Sequence, residues 1–340
     1  RMPCQPHGSQ QEAGHLNNRK AGPAPVRREI ADSGPSRPVG RGTAGMTGCH
    51  HVGMPQSIDE LVALLDLETL EDGLYRGRQP ETSLQRVFGG QVAGQALVAA
   101  IRTVPTGRVV HSLHAYFLVP GDTSVPILYD VERTRDGRSF NTRRVVARQH
   151  GRTIFYMSTS FATPEDGLEH QDPMPDVAPP EDCPELGDLL ASLTGRPRES
   201  WDREWSALDV RYVGDSRPGG ALQNSEHPAL ARVWLRASGT LDDDPSLHAA
   251  VLAYASDLTL LGVSLVPHNV FIGDPQLSPA SIDHAMWFHR PFRADEWLLY
   301  DQVSPSASAA RGFATGRLFT TDGRLVASVA QEGLIRLRKR

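Results

Sequence analysis

"FGGQVAGQALVAAIRTV", residues 88–104, carries no charge until Arg102. Gly89, Gly90 and Gly94 put small residues on one side, and Val92, Ala96, Leu97, Ala100 and Ile101 cover the rest. A helix apolar all round is a buried helix, so something must wrap it. The wrapping follows at once in four strand-like runs: "HSLHAYFLV" (111–119), "SVPILYDVERTR" (124–135), "SFNTRRVVARQ" (139–149) and "RTIFYMSTSF" (152–161). Asp136-Gly137 and His150-Gly151 supply hairpin turns between them. Upstream, Ser57 and Glu60 form a capping box ahead of Leu61, Leu64 and Leu65, and "LYRGRQP" (74–80) reads as a strand.

The second half repeats the plan. "LDVRYVG" and "ALARVWLRAS" are strand-like, "DPSLHAAVLAYASDLTLLG" (244–262) is helical, and strands follow at 281–289, 296–303, 309–320 and 324–337. His-Ala recurs at 114 and 284, an offset of 170; Tyr-Asp at 129 and 300, an offset of 171; Gly-Arg at 151 and 323, an offset of 172. Three dipeptides in order at a nearly constant offset argue for a duplicated unit. The predicted fold class is α+β, two tandem repeats, each a long helix wrapped by a curled antiparallel sheet. The predicted organisation is a disordered tail over 1–54, an N-terminal domain over 55–163, a linker over 164–205 and a C-terminal domain over 206–340. The tail lacks hydrophobic periodicity, and the linker is polar and proline-rich ("DPMPDVAPPEDCP").

Composition narrows the function. With 340 residues, 39% hydrophobic and a formal charge of −5, the chain has material for real cores and no field that draws it to DNA or anionic lipid. Nucleic-acid partners are therefore not expected. Three cysteines without a CxxC predict neither a disulfide framework nor a zinc site, and a reducing compartment. No apolar run approaches about 18 residues, no signal core is visible, and "RLRKR" is no peroxisomal address. The expected location is cytoplasmic.

"RVFGGQVAGQALVAA", "HSLHAYFLVPGD", "YDVERTRDGRSFNTRRVVARQHGRTIFYMSTSF", "SIDHAMWFHRPFRADEWLLYD" and "SASAARGFATGRLFTTDGRLVASVAQEG" resemble the acyl-CoA thioesterase II family over residues 57 to about 337. The resemblance implies a double hot-dog fold and hydrolysis of fatty acyl-CoA to free acid and CoA, with no cofactor and no metal. A homo-oligomer is expected by analogy. The family's catalytic aspartate, threonine or serine, and glutamine fall on Asp257 in "YASDLTLL", Ser281 in "SIDHAMWFHR" and Gln331 in "VAQEG". Threonine is more typical at the middle position; serine keeps the hydroxyl and loses a methyl.

The residues make their own case. Asp257 sits among Leu252, Ala253, Leu258, Leu260 and Leu261, so its carboxylate should be desolvated and more basic. A helix-end or capping aspartate is the competing reading. Ser281 and Gln331 are short polar groups among apolar strand neighbours, able to hold a water; structural hydrogen bonding is the alternative for both. Strand alternation places Ile282, His284, Met286 and Phe288 on one face, and Ser281, Asp283, Trp287 and His289 on the other. The 170 offset makes His111 the repeat partner of Ser281, so the first half lacks the hydroxyl.

Other signals are weaker. "GGQVAG" fits neither a dinucleotide fingerprint nor a P-loop and reads as tight packing. Gly214-Asp215-Ser216 has no nucleophile elbow around it. His268, His284 and His289 lack zinc spacing and read as structural. Arg143, Arg144 and Arg148 on one strand suit CoA phosphates or a solvated basic face. Two alternatives to the hydrolase remain: a hot-dog hydratase acting on acyl thioesters, and a non-catalytic acyl-CoA-binding protein.

Overall fold

A computed structural model describes residues 54–338. The expected disordered tail and Cys4, Cys49, His50 and His51 lie outside the described residues. Met54 does not: it is buried, and its N–H donates to Glu81 O at 2.9 Å, so the packed structure takes in the last residue assigned to the tail.

The first half runs α1 (Ile58–Leu65), β1 (Glu68–Glu71), β2 (Leu74–Gly77), α2 (Gly89–Ile101), β3 (Val109–Phe117), β4 (Ile127–Asp136), β5 (Phe140–Gln149) and β6 (Arg152–Ala162). Ser57 caps α1 as its sequence predicts, accepting from Glu60 N–H, while Glu60 reaches back to Gln56 N–H. Then come α3 (Leu186–Thr194) and α4 (Arg198–Trp205). The second half runs β7 (Leu208–Asp215), β8 (Leu230–Ala237), α5 (Pro245–Ser256), a 3-10 stretch over Leu260–His268, β9 (Leu277–Ser281), β10 (Asp283–Phe288), β11 (Leu298–Ser308), β12 (Arg311–Thr320) and β13 (Leu325–Leu337).

The strands form one antiparallel sheet in the order β1-β2-β4-β5-β6-β3-β10-β13-β12-β11-β8-β7, with β9 also paired to β13. The halves join where β3 meets β10, His114 opposite Ala285. Both long helices lie inside, α2 against α5, around a core that includes Leu97, Tyr129, Leu252 and Tyr300. The glycines of α2 make that approach possible: a Cβ on Gly90 would stand 2.1 Å from Tyr254 O, and one on Gly94 3.1 Å from Ala250 O.

Three sequence expectations change. The linker is not merely a polar connector, because it contains α3 and α4. Leu186, Leu189, Leu190 and Leu193 recur at helical spacing there, a signal that the surrounding prolines and charges mask. Second, α5 and the 3-10 stretch form one helical run, Pro245–His268, long and apolar enough by length and composition to cross a membrane. In this fold that run is the core helix, 78% buried in its most apolar window.

The third change concerns the repeat. In β3 and β6, Val110 faces Phe161 and Ser112 faces Ser160, which leaves one extra residue at His111. In β9, β10 and β13, Ser281 faces Gly333 and Ala285 faces Ala330, again one residue too many. Both halves thus carry a bulge at the same place. The bulge pairs Ser281 with Val110, not His111, and Gln331 with Thr159. His111 turns outward to Ser160 Oγ at 2.8 Å.

Candidate active site

Asp257 ends α5. Its backbone stays right-handed (φ −81°, ψ −9°) as the chain passes into the 3-10 stretch. The residue is half-buried, and three donors converge on its carboxylate. Ser281 Oγ donates to Oδ1 at 3.1 Å, Gln331 Nε2 donates to the same oxygen at 2.5 Å, and the backbone N–H of Gly90 supplies the third bond. Gln331 Nε2 also reaches Ser281 Oγ at 3.0 Å, which closes a triangle. The three residues singled out in the sequence are therefore brought together from α5, β9 and β13.

Each arrives for a local reason. Gln331 is fully buried because it alternates inward on β13 with Val329 and Gly333. Ser281 arrives by the bulge. Uninterrupted alternation would place it on the face opposite His284, but the extra residue at Ile282 resets the count, so both side chains turn toward the end of α5. Ile282 spends its own backbone on Glu332 O and Phe117 N–H, which pins the bulge between β13 and β3.

The first half supplies what sequence reading missed. Gly89 and Gly90 open α2, whose first intrahelical bond runs from Val92 N–H to Phe88 O. The earlier N–H groups point out of the helix end, where the macrodipole is positive. A Cβ on Gly89 would stand 2.5 Å from Asp257 Oδ2 and 3.0 Å from the Phe117 ring. The glycine pair thus packs the helices and also lets a backbone end reach a carboxylate of the other half. The uncharged "FGG" at the start of an apolar helix was the available signal, but only the packing of α2 on α5 gives it a partner.

Burial pushes the Asp257 carboxyl up to about 6, against the opposing pull of Gln331, Ser281 and Gly90. Behind it lies a second polar layer. His284 Nε2 meets Ser256 Oγ at 2.8 Å, and Tyr300 OH donates to Ser256 O at 3.1 Å. Burial pushes His284 down to about 4, so its ring is uncharged near neutrality. Asp283 instead accepts from Glu332 N–H at 2.6 Å, and exposed His289 pairs with Ser328 Oγ. Of the expected buried framework, His284 is fully enclosed, Asp283 is half-buried and His289 is not enclosed.

Other candidates separate. His268, His284 and His289 do not converge, and the described residues contain no metal-competent group of histidine, cysteine, aspartate or glutamate. The arginines do not cluster. Arg143 points into the core and is spent on Thr103, Asp136 and two further backbone carbonyls, while Arg144 and Arg148 lie outside near Glu132 and Asp130. Gly214 and Asp215 end a strand, with Asp215 held by Arg217.

Known proteins match most of this chain. Residues 216–334 match the family model for acyl-CoA thioesterase, and residues 78–162 that for the acyl-CoA thioesterase N-terminal domain. Acyl-CoA thioesterase 2 of Haemophilus influenzae is 38% identical over 283 residues, 83% of this chain and 99% of that protein. Human acyl-coenzyme A thioesterase 8 is 42% identical over 289 residues, 82% of this chain and 89% of that protein. An acyl-CoA thioesterase II crystal structure from Mycobacterium marinum superposes with a TM-score of 0.69 at 48% identity, covering 83% of this chain and 99% of that one. A hot-dog protein from Alicyclobacillus acidocaldarius, 19% identical with a TM-score of 0.64, supports the fold alone. With its paired core helices, continuous antiparallel sheet and these relatives, the chain is a double hot-dog protein and belongs to the acyl-CoA thioesterase family.

Proposed function

We propose that this thioesterase cleaves acyl-CoA by direct attack of a water on the thioester carbonyl, with Asp257 as general base. The observation that carries the reading is the closed triangle of Asp257, Ser281 and Gln331 around a carboxylate raised to about 6. A base with that value is ionised at neutral pH yet holds a proton better than an ordinary aspartate. Gln331 Oε1 is buried and has no protein partner, so it can accept from the same water that Ser281 and Asp257 orient.

The steps balance. The water oxygen bonds to the carbonyl carbon as its proton passes to Asp257. The carbonyl oxygen becomes an oxyanion, which N–H groups at the start of α2 stabilise from a fixed position. Collapse of the intermediate breaks the carbon–sulfur bond, and the CoA thiolate leaves and takes up the water-derived proton from Asp257. The products are free acid and CoA, and the route needs neither metal nor organic cofactor because Asp257 supplies the base.

Val110 and Thr159 stand where the second half has Ser281 and Gln331, which supports one working site per chain. A hydratase of this fold would use an aspartate with a histidine. His284 stands behind the helix end and meets Ser256 instead. The remaining parts of the proposal are hot-dog domains over 55–163 and 206–340, a cytoplasmic location and a homo-oligomer acting in lipid metabolism. The sparse cysteines, three in 340 residues, support the second of these, and exposed Tyr116 and Trp287 on the outer sheet face support the third. Thiol release from a panel of acyl-CoAs, by the wild type and Asp257→Asn, tests the reaction. Hydration of enoyl-CoA without thiol release would establish the hydratase, and binding without turnover the carrier.

A further inference from the structure

We propose that the cavity roofed by α3 and α4 holds the acyl tail of the substrate and sets the chain-length preference. This proposal rests on the thioesterase reading above. The cavity measures about 720 Å³, within the range of small-molecule sites. Leu189, Leu190 and Trp201 form its roof, and Leu258, Val263 and Val266 form its floor.

Two features place it next to the site. Leu258 and Thr259, on the cavity wall, directly follow Asp257 in the chain. Trp205, also on the wall, meets the Phe88 ring edge-on at 4.8 Å, and Phe88 caps the helix whose Gly90 N–H holds Asp257. A thioester carbonyl placed at the triangle therefore has an apolar chamber beside it. The buried charges on the wall are paired: Glu204 accepts from Thr82 and Ser83, and Arg217 bonds Asp215 with its guanidinium 3.9 Å from the centre of the Phe271 ring, while Arg196 and Arg203 are exposed. An alkyl chain is the part of acyl-CoA that such a wall would take from water.

Two wall positions have room for a larger side chain. A Cβ on Gly262 would meet only Ile272 Cγ1, at an ordinary 3.5 Å, and Ala191 lies on α3 facing the cavity. Gly262→Leu and Ala191→Phe would fill space that three or four methylenes need. Each buried methylene contributes about fourfold to binding, so the loss is on the order of 100-fold.

The test measures kcat/KM for butyryl- through palmitoyl-CoA. The expected result is a fall of about 100-fold for the longest chain the wild type turns over, with butyryl-CoA changed less than about twofold. Folded variants with the wild-type chain-length profile would overturn the proposal. A hexadecyl-CoA thioether with a terminal diazirine, crosslinked to the unaltered protein, gives an independent reading. Label on peptides from 186–205 or 258–273 supports the cavity, and label confined to other peptides refutes it. Absence of thiol release from every acyl-CoA would instead overturn the hydrolase reading, while the crosslink still reports on tail binding.

Discussion

Asp257→Asn separates a catalytic from a structural aspartate because the two readings move opposite quantities. Asparagine keeps the shape and can still accept from Gly90 N–H, while the Gln331 amide can turn to accept from the new Nδ2. What disappears is the proton acceptor, and general-base catalysis contributes about 10²- to 10⁴-fold, so kcat should fall by that factor with KM little changed. Stability should move the other way. The carboxyl holds its proton to about pH 6 in the folded chain, whereas an unfolded aspartate releases it near pH 4. The folded state thus binds the extra proton between those values, and stability falls as pH rises through that window. Above pH 6 the full cost of about two pH units, ~3 kcal/mol at most, is present. Removing the charge should therefore raise the melting temperature at pH 8 by several degrees, and by little at pH 3.5, where Asp257 is neutral in both states. Thiol-release kinetics and calorimetry on one preparation test both. A variant that keeps wild-type kcat and melts lower at pH 8 would show that Asp257 is a structural cap and refute the mechanism.

Wild-type kcat should rise with pH through an apparent pKa of about 6 and level off above it, since Asp257 works only when ionised; a flat profile from pH 5 to 8 would count against it. Gly89→Ala places a methyl 2.5 Å from Asp257 Oδ2, so kcat should fall at least about 10-fold. Alanine elsewhere in a helix would gain about 0.5–1 kcal/mol over glycine, and full activity with that gain would remove Gly89 from the site. Ala309 and Ala310 both adopt left-handed φ, 49° and 59°, at the turn between β11 and β12. Ala310→Gly should relieve about 1 kcal/mol of that strain, read as a higher urea midpoint with unchanged activity.

Much of this protein was legible in sequence because its signals are local. Ser57 and Glu60 lie three residues apart and cap α1 whatever surrounds them. The unbroken apolar surface of α2, the alternation within β5 and the duplicated helix-and-sheet order follow from the 3.6 and 2.0 periods of the chain. Asp257 was conspicuous as an acid in an apolar helix. Ser281 and Gln331 stood out chiefly through their likeness to known motifs, because a short polar side chain in a strand is common. Tertiary structure decided the rest. A single extra residue at Ile282 shows no composition signal, yet it turns Ser281 toward Asp257 and makes Val110, not His111, its counterpart. Arg143 looked like a neighbour of Arg144 until the pleat sent one inward and the other out. The start of α2 could not be matched with Asp257 from either stretch alone, since 167 residues separate Gly90 from Asp257. That contact exists because two small-faced helices pack closely enough for a backbone N–H of one half to reach the carboxylate of the other.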